Sequence, residues 1–195
     1  LTDINTIAAC AKHFAGYGFA EAGRDYNTVN VGTSELQNAI LMPFKAAAEA
    51  GVATFMNSFN EIDGVPATAS TYLQRDVLKG AWDYKGFMVS DWGSIAELIP
   101  HGFAKDKMQA GELAVVAGSD MDMEGRVYEE ALEPLVSQSK IDETLLDAAV
   151  RRILRVKFHL GLFEDPYKYS DTRREKEVLL APEHLVAARD IARKS

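Results

Sequence analysis

An aspartate and a tryptophan follow a short apolar run in the middle of the chain. Asp91 and Trp92 come after residues 87–89, with one serine between. A carboxylate that leaves a strand is held by rigid backbone, and it can act as a nucleophile, a general base or a metal ligand. A tryptophan face beside hydrogen-bond donors suits a sugar, which has apolar ring faces and hydroxyl edges. The local sequence is equally compatible with Asp91 as a helix cap. The alternative for Trp92 is packing in the core.

Polar side chains also follow the other apolar runs. Lys12 and His13 come after the first run, and Asn57 and Asn60 come after the second. Three acidic residues lie within or next to the fourth run: Asp120, Asp122 and Glu124. In parallel α/β folds, ligands bind at the carboxyl ends of the strands. We therefore expect these groups on one rim with Asp91, although His13 is also compatible with a buried, hydrogen-bonded imidazole.

A unit of one short apolar run and one longer helical pattern occurs four times. The runs lie at residues 7–11, 52–56, 87–89 and 121–123. This alternation predicts parallel strands covered by helices. The sheet is either open and doubly wound or closed as a (β/α)8 barrel, which needs eight units and about 250 residues. The barrel interpretation makes this chain the C-terminal half of a (β/α)8 barrel, whose other half comes from elsewhere.

Apolar periodicity and turn residues predict the connecting helices. One helix begins at Thr33 or Ser34 and ends at Gly51, and another opens at Ser70 and ends at Gly80. Four further helices are predicted, at residues 108–116, 129–137, 143–160 and 182–194.

The pattern changes after residue 163. Asp165 and Pro166 break the preceding helix, and residues 169–177 are polar and charged. We therefore assign residues 1–163 to the barrel half and residues 164–195 to an interdomain linker and the first helix of a second, truncated domain. The alternative is a C-terminal helix that docks on the same domain.

The composition argues against several classes of partner. The 195 residues include 21 Lys and Arg against 29 Asp and Glu, which gives a net charge of -8. The basic surface that nucleic acids or anionic membranes require is therefore not indicated. No apolar run approaches the roughly 18 residues of a membrane span. Cys10 is the single cysteine, and its alanine neighbours predict a buried, inert thiol.

No cofactor or metal motif is complete. The Gly-Tyr-Gly at residues 16–18 lacks the third glycine of a dinucleotide-binding loop, because Glu21 stands there. The segment from Asp120 begins like a calcium loop, but its twelfth position is Ala131. We expect no cofactor and no metal, and we interpret Asp120 as structural. A metal-dependent phosphatase that uses Asp91 and Asp120 is an alternative from another class.

At these residues the sequence resembles glycoside hydrolase family 3, the β-glucosidase and β-xylosidase type. The matching tags occur in order along nearly the whole chain, which makes the resemblance specific. They are KHF at 12–14, GRDYNT at 23–28, LMPF at 41–44, MNSFN at 56–60, GVP at 64–66, GFMVSDW at 86–92, AGSDMDM at 117–123, RRIL at 151–154 and LGLF at 160–163.

The resemblance implies a role for each candidate residue. Asp91 would be the nucleophile of a retaining hydrolase. Lys12 and His13 would bind hydroxyls of the sugar in the −1 subsite, where Arg24 would join them. The side chains that shape this pocket would be those of Met56 and Trp92. The family fold is a (β/α)8 barrel followed by an α/β sandwich, so residues 164–195 would open the sandwich.

The resemblance also bears on substrate and activity. In β-glucosidase members the acid/base is a glutamate of the following domain, so we expect the fragment alone to be inactive. The N-acetylglucosaminidase branch carries a histidine in the loop that here spans residues 15–24, which contains none. A neutral β-glucoside or β-xyloside is therefore favoured, with an N-acetylhexosaminidase or a sugar-binding barrel without catalysis as alternatives. We expect a periplasmic or secreted location, although a cytoplasmic location is also compatible with the sequence. Open strand edges are also compatible with self-association of the fragment.

Overall fold

Three strands form a parallel sheet in the computed structural model, which describes residues 7–195. The strands β1 (Cys10–Phe14), β2 (Thr54–Asn57) and β5 (Phe87–Val89) lie in the order β1–β2–β5. After β2, the short strands β3 (Glu61–Ile62) and β4 (Val65–Pro66) form an antiparallel hairpin. Helical segments follow each parallel strand, so the predicted α/β fold with a parallel sheet is confirmed.

The fourth apolar run adds one bridge to this sheet. Met121 pairs in parallel with Val89, so the order along the sheet continues that of the sequence. The predicted strand at 121–123 is thus reduced to one bridging residue. Beyond it the chain turns into the next helix, where the Asp122 carboxylate accepts the backbone N–H of Val127 at 2.7 Å.

Strand β1 begins three residues later than the predicted run at 7–11. Phe14 is fully buried, and its ring packs edge-on against Phe55 with 5.5 Å between centroids. Because Phe14 packs on a residue of β2, the part of residues 7–14 that pairs with β2 lies at the C-terminal end, at residues 10–14. Lys12 and His13 consequently lie inside the strand, whereas the sequence placed them after it.

Cys10 is exposed, so the prediction of a buried thiol was wrong. The residue begins β1, and the sheet gives β1 a neighbour on one side only, namely β2. Successive side chains of a strand project from opposite faces of the sheet. Ala11 packs against the buried cluster that contains Phe14 and Phe55, so Cys10 projects from the opposite face and is exposed.

The helices connect the strands and continue to the C terminus. The first connection contains α1 (Thr33–Glu35), a π-helical segment (Leu36–Ile40) and α2 (Met42–Glu49). The second is the helix at Tyr72–Ala81. The remaining helices are α3 (Lys107–Ala117), α4 (Val127–Ser137), α5 (Glu143–His159), α6 (Thr172–Val178) and α7 (Pro182–Lys194). Apolar periodicity thus located the helices well, although Gly32 rather than Thr33 or Ser34 precedes α1.

Two buried apolar clusters hold the helices in place. The first joins the sheet to the helices of the first two connections and includes Phe14, Phe55, Leu73, Leu78 and Met88. The second joins α3 to α4 and includes Ile95, Leu98, Ala110, Val127 and Leu135. Burial of apolar surface is the main stabilising contribution, and here it fixes the strand ends that carry Asp91 and His13.

A helix occurs where the sequence predicted a polar linker. Helix α6 (Thr172–Val178) overlaps residues 169–177. The Asp171 carboxylate caps it by accepting the backbone N–H groups of Arg173 at 2.9 Å and Arg174 at 3.1 Å. Such an N-cap stabilises a helix by about 1 kcal/mol, and the Arg, Glu and Lys residues of α6 are themselves good helix formers. Helix α7 has the predicted bounds. Of the helices in residues 7–195, none has both the length and the apolar character needed to cross a bilayer.

Gly86, at the entrance to β5, has no room for a side chain. A Cβ atom there would collide with the backbone carbonyl oxygen of Ala53. We expect Gly86→Ala to lower the free energy of unfolding by about 1–3 kcal/mol, because backbone must shift to relieve the contact. The control is Gly32→Ala, since a Cβ at Gly32 meets nothing within 4 Å. Equal urea midpoints for the two variants would contradict this expectation.

Candidate active site

Asp91 and His13 face each other at the ends of their strands. The Nε2 atom of His13 lies 3.3 Å from Oδ2 of Asp91. The other carboxylate oxygen, Oδ1, accepts the backbone N–H of Trp92 at 2.7 Å. The His13 and Asp91 side chains are 28% and 14% exposed, so the pair is partly shielded yet accessible to a ligand. The expectation that these two groups share one rim agrees with this geometry.

A β-bulge brings further candidate residues together. The register of β1 on β2 shifts between Ala11 and Phe14, so Lys12 and His13 both lie opposite Met56. Bulges are common beside active sites because they redirect side chains. Lys12 is exposed and Met56 is half-buried. Three of the residues expected to contact sugar therefore occupy one short stretch of the β1–β2 pair.

Trp92 and Arg24 lie at the exposed margin of the site. Trp92 directly follows Asp91 and is 65% exposed, so its interpretation as a core residue was wrong. An exposed indole beside a carboxylate is available to stack on a ligand. Arg24 is exposed on the loop that follows β1. Among the described residues, its guanidinium makes no hydrogen bond to the His13–Asp91 pair.

An aromatic cluster borders His13, and the sequence reasoning assigned it no role. The Tyr17 ring lies 5.0 Å from that of His13, and its hydroxyl donates a hydrogen bond to Asp25. Phe59 packs edge-on against Tyr26, with 4.5 Å between centroids. Burial, followed by the hydrogen bond to Asp25, raises the pKa of Tyr17, so the phenol stays protonated. The tag at residues 23–28 is the sequence signal that could have pointed to this cluster.

Burial and two charged neighbours shift the pKa of His13 in opposite directions. Burial lowers the pKa of His13 below its ordinary value of 6.5 and is the largest cause. The Asp91 carboxylate acts against burial, whereas the Lys12 ammonium adds to it. His13 is therefore neutral at pH 7, and its Nε2 can serve as a hydrogen-bond donor or acceptor depending on the tautomer.

Substitutions on either side of His13 should shift its pKa in opposite directions. Lys12→Met should raise the pKa of His13, because it removes a nearby positive charge. Asp91→Asn should lower it, because it removes the negative charge at 3.3 Å. The measurement is an NMR titration of the His13 ring, assigned with a His13→Gln variant. Lys45→Met, which removes an ion pair elsewhere on the surface, is the control. Shifts in the same direction would contradict the geometry.

Asp120 lies in a separate, buried ion cluster. Its carboxylate is 2% exposed and pairs with Lys79 at 2.8 Å and Arg152 at 2.7 Å. Oδ2 also accepts the backbone N–H of Met88 at 2.8 Å. Both oxygens are thus engaged by protein donors, which disfavours the phosphatase that would use Asp120 with Asp91 as metal ligands. The part of the chain that the structure describes contains no group of three His, Cys, Asp or Glu side chains suited to a metal ion.

Comparison with known proteins finds a matching family and several similar proteins. The family model for the glycosyl hydrolase family 3 N terminal domain matches residues 2–156. A periplasmic beta-glucosidase of Salmonella typhimurium is 39% identical over 196 aligned residues, which cover 99% of this chain and 26% of the relative. A putative beta-xylosidase of Formosa agariphila is 37% identical over 163 residues, which cover 83% of this chain and 22% of the relative.

Solved structures agree with these relatives. A beta-glucosidase from Listeria innocua in complex with isofagomine superposes with a TM-score of 0.89 at 43% identity, over 93% of this chain and 26% of that one. A mutant of the same enzyme in complex with laminaribiose gives a TM-score of 0.88 at 44% identity, over 91% of this chain and 25% of that one.

The fold and the family match place this chain among the glycosyl hydrolase families. The chain spans about a quarter of the length of the relatives that it matches. It belongs to glycosyl hydrolase family 3, and its residues 2–156 match the N-terminal domain of that family.

Proposed function

We propose that Asp91 is the catalytic nucleophile of a retaining β-glycoside hydrolase. One observation carries the proposal: the strand-end carboxylate of a family 3 chain lies 3.3 Å from the imidazole of His13 and stays partly open to ligand. A carboxylate held this way by two elements of a rigid scaffold is oriented before the substrate arrives.

The reaction would proceed in two displacements. The Asp91 carboxylate attacks the anomeric carbon, the bond to the leaving oxygen breaks, and a carboxylic acid group delivers its proton to that oxygen. The same acid, now ionised, then takes a proton from water as the water displaces Asp91 from the glycosyl-enzyme. The two carboxyl groups must lie about 5–5.5 Å apart. We assign the second one to a part of the protein outside this chain.

The proposed substrate is a neutral β-glucoside or β-xyloside at a non-reducing end. Lys12, His13 and Arg24 would donate hydrogen bonds to its hydroxyls. Met56 and Trp92 would contact its apolar faces, which suits the exposed indole and the half-buried thioether. Relatives named beta-glucosidase and beta-xylosidase support both sugars, and a solved relative in complex with laminaribiose supports β-linked glucose.

We also propose that the chain is half of a (β/α)8 barrel. The order β1–β2–β5–Met121 follows the order in the sequence, as neighbouring barrel strands do. Residues 1–163 would be this half and residues 164–195 the linker and first helix of an α/β sandwich. The rest of the barrel and the second domain would be its partners. By itself the chain could also self-associate through its open sheet edges.

A periplasmic or secreted location is proposed for the whole protein. It is supported by the relative named periplasmic beta-glucosidase, which matches 99% of this chain. Immunodetection of the protein in separated periplasmic and cytoplasmic fractions would test it, with a cytoplasmic signal as the contrary result.

The isolated 195-residue chain should show no hydrolase activity above background. It holds the proposed nucleophile but lacks the acid/base and the other side of the pocket, and general acid catalysis alone contributes about 10²–10⁴-fold. The assay is release of nitrophenol from an aryl β-glucoside, with a full-length protein that carries this chain as the positive control. Turnover by the isolated chain at the full-length rate would contradict the proposal of a shared site.

The test of the function is covalent labelling. A full-length protein that carries this chain should react with a 2-deoxy-2-fluoro-β-glucoside, which slows the second displacement more than the first and so accumulates the intermediate. Peptide mass spectrometry should then find the sugar on Asp91, and Asp91→Asn should stay unlabelled. A label on another carboxylate would overturn the assignment. Sugar binding without any label would favour the non-catalytic barrel instead.

A further inference from the structure

Asn57 is a fully buried amide that contacts the backbone of Asp91. It ends β2, the central strand of the sheet, and its exposed fraction is 0%. Its Oδ1 atom accepts the backbone N–H of Asp91 at 3.2 Å. The two residues are 34 positions apart in the chain, so this hydrogen bond ties the end of β2 directly to the loop that carries the carboxylate.

The orientation of Asn57 is fixed by further buried partners. Its Nδ2 donates to the Ser119 hydroxyl at 2.9 Å. Its Oδ1 also accepts the hydroxyls of Thr68 and Ser94, each at 3.2 Å. These three residues are at most 2% exposed. An amide whose donor and acceptor are both occupied in a dry environment cannot rotate without losing several hydrogen bonds, each costly to leave unmade.

The same network has a member that never touches Asp91. Gln74 is fully buried and accepts the Ser119 hydroxyl at 3.1 Å. Its amide nitrogen donates to the carbonyl oxygens of Ala67 and Thr68, both at 2.9 Å. Gln74 therefore matches Asn57 in burial, chemistry and network, and differs from it in lacking a bond to the Asp91 backbone.

The Asp91 contacts show what the Asn57 bond would control. Asp91 lies two residues beyond the last residue of β5, Val89. The backbone N–H groups of Ser90 and Gly93, on either side of it, bond to the carbonyl oxygens of Met121 and Met123, whereas the N–H of Asp91 itself bonds to Asn57. Its Oδ1 is held by the N–H of Trp92 and its Oδ2 faces His13. With both oxygens so placed, the position of the carboxylate depends on where the Asp91 backbone sits, and Asn57 anchors that backbone.

We propose that Asn57 is a positioning residue that sets the location of the Asp91 carboxylate relative to the sugar site. The inference rests on the proposed role of Asp91 as nucleophile. Asn57 acts through the backbone and touches no substrate. Its loss should therefore slow formation of the glycosyl-enzyme and leave sugar affinity nearly unchanged, since a displacement of about 1 Å costs roughly 10²-fold in rate.

The experiment compares Asn57→Leu with Gln74→Leu in a full-length protein that carries this chain. Each replaces a fully buried amide by an apolar side chain, and both should lower the Tm. For Asn57→Leu we expect the rate constant for labelling by the 2-fluoro glucoside to fall about 10²-fold, while the apparent dissociation constant for the sugar changes by less than about threefold. Hydrogen exchange of the Asp91 amide, followed by mass spectrometry, should become faster. Gln74→Leu should change neither the labelling rate nor that exchange by more than about threefold.

The possible results separate this inference from the proposed function. Equal losses of labelling rate in the two variants, or unchanged exchange of the Asp91 amide in Asn57→Leu, would overturn the positioning role alone. An unlabelled Asp91 in the wild-type protein would overturn the proposed function, and the positioning role would fall with it. If Asn57→Leu does not fold, Asn57→Ser replaces it. That side chain keeps a hydroxyl in the network but is one bond too short to reach the Asp91 amide.

Discussion

Asp91→Gly in a full-length protein that carries this chain should lower kcat for an aryl β-glucoside by about 10⁴-fold or more. Loss of a catalytic nucleophile typically has an effect of this order, which corresponds to about 5 kcal/mol of transition-state stabilisation. The cause is loss of the covalent route, because glycine offers no oxygen to attack the anomeric carbon. Steady-state hydrolysis and binding of glucose to the variant provide the measurements, and glucose binding should persist.

Azide distinguishes a lost nucleophile from a damaged fold. Sodium azide should restore much of the Asp91→Gly activity by entering the space that the carboxylate leaves. The product should be the α-glycosyl azide, because a single displacement inverts the configuration that two displacements retain. Asp120→Asn, which alters a buried aspartate outside the site, should not respond to azide. Activity of Asp91→Gly within tenfold of the wild type, or the absence of azide product, would contradict the nucleophile assignment.

Asp120→Asn should produce the largest loss of stability that we expect from a single substitution. It leaves the Lys79 and Arg152 cations without their carboxylate, at side-chain exposures of only 10% and 17%. Breaking a buried ion pair in this way costs about 3–5 kcal/mol. Burial already lowers the pKa of Lys79 to about 8, against the opposing charge of Asp120. Urea unfolding followed by circular dichroism gives the free energy of unfolding.

An exposed pair provides the matched control for Asp120. Lys194 and Asp190 form an i,i+4 pair on α7, and Asp190→Asn should change the free energy of unfolding by less than about 0.5 kcal/mol. The double variant Asp120→Asn with Lys79→Met should recover part of the loss, because it removes one of the unpaired cations. A loss below about 1 kcal/mol for Asp120→Asn would show that the cluster is better solvated than its burial indicates.

Several tertiary contacts could not have been read from the chain alone. The bulge that places Lys12 and His13 opposite Met56 depends on a register between strands that are about 40 residues apart. The sequence placed Asn57 on the rim but gave no reason to connect it with the Asp91 backbone. The exposure of Cys10 follows from the face of the sheet from which it projects, whereas its alanine neighbours in the sequence indicated a core.

The amino-acid sequence predicted the order of the three parallel strands, most of the helices, the place of Asp91 directly after a strand, and the family. It could do so because periodicity, turn chemistry and motif spacing are properties of neighbouring residues. The contacts between distant groups are visible only in the folded chain: His13 with Asp91, Asn57 with the Asp91 amide, and Lys79 with Asp120 over 41 positions. Those contacts arise when helices pack on the sheet and exclude water, and that packing is a property of the whole fold.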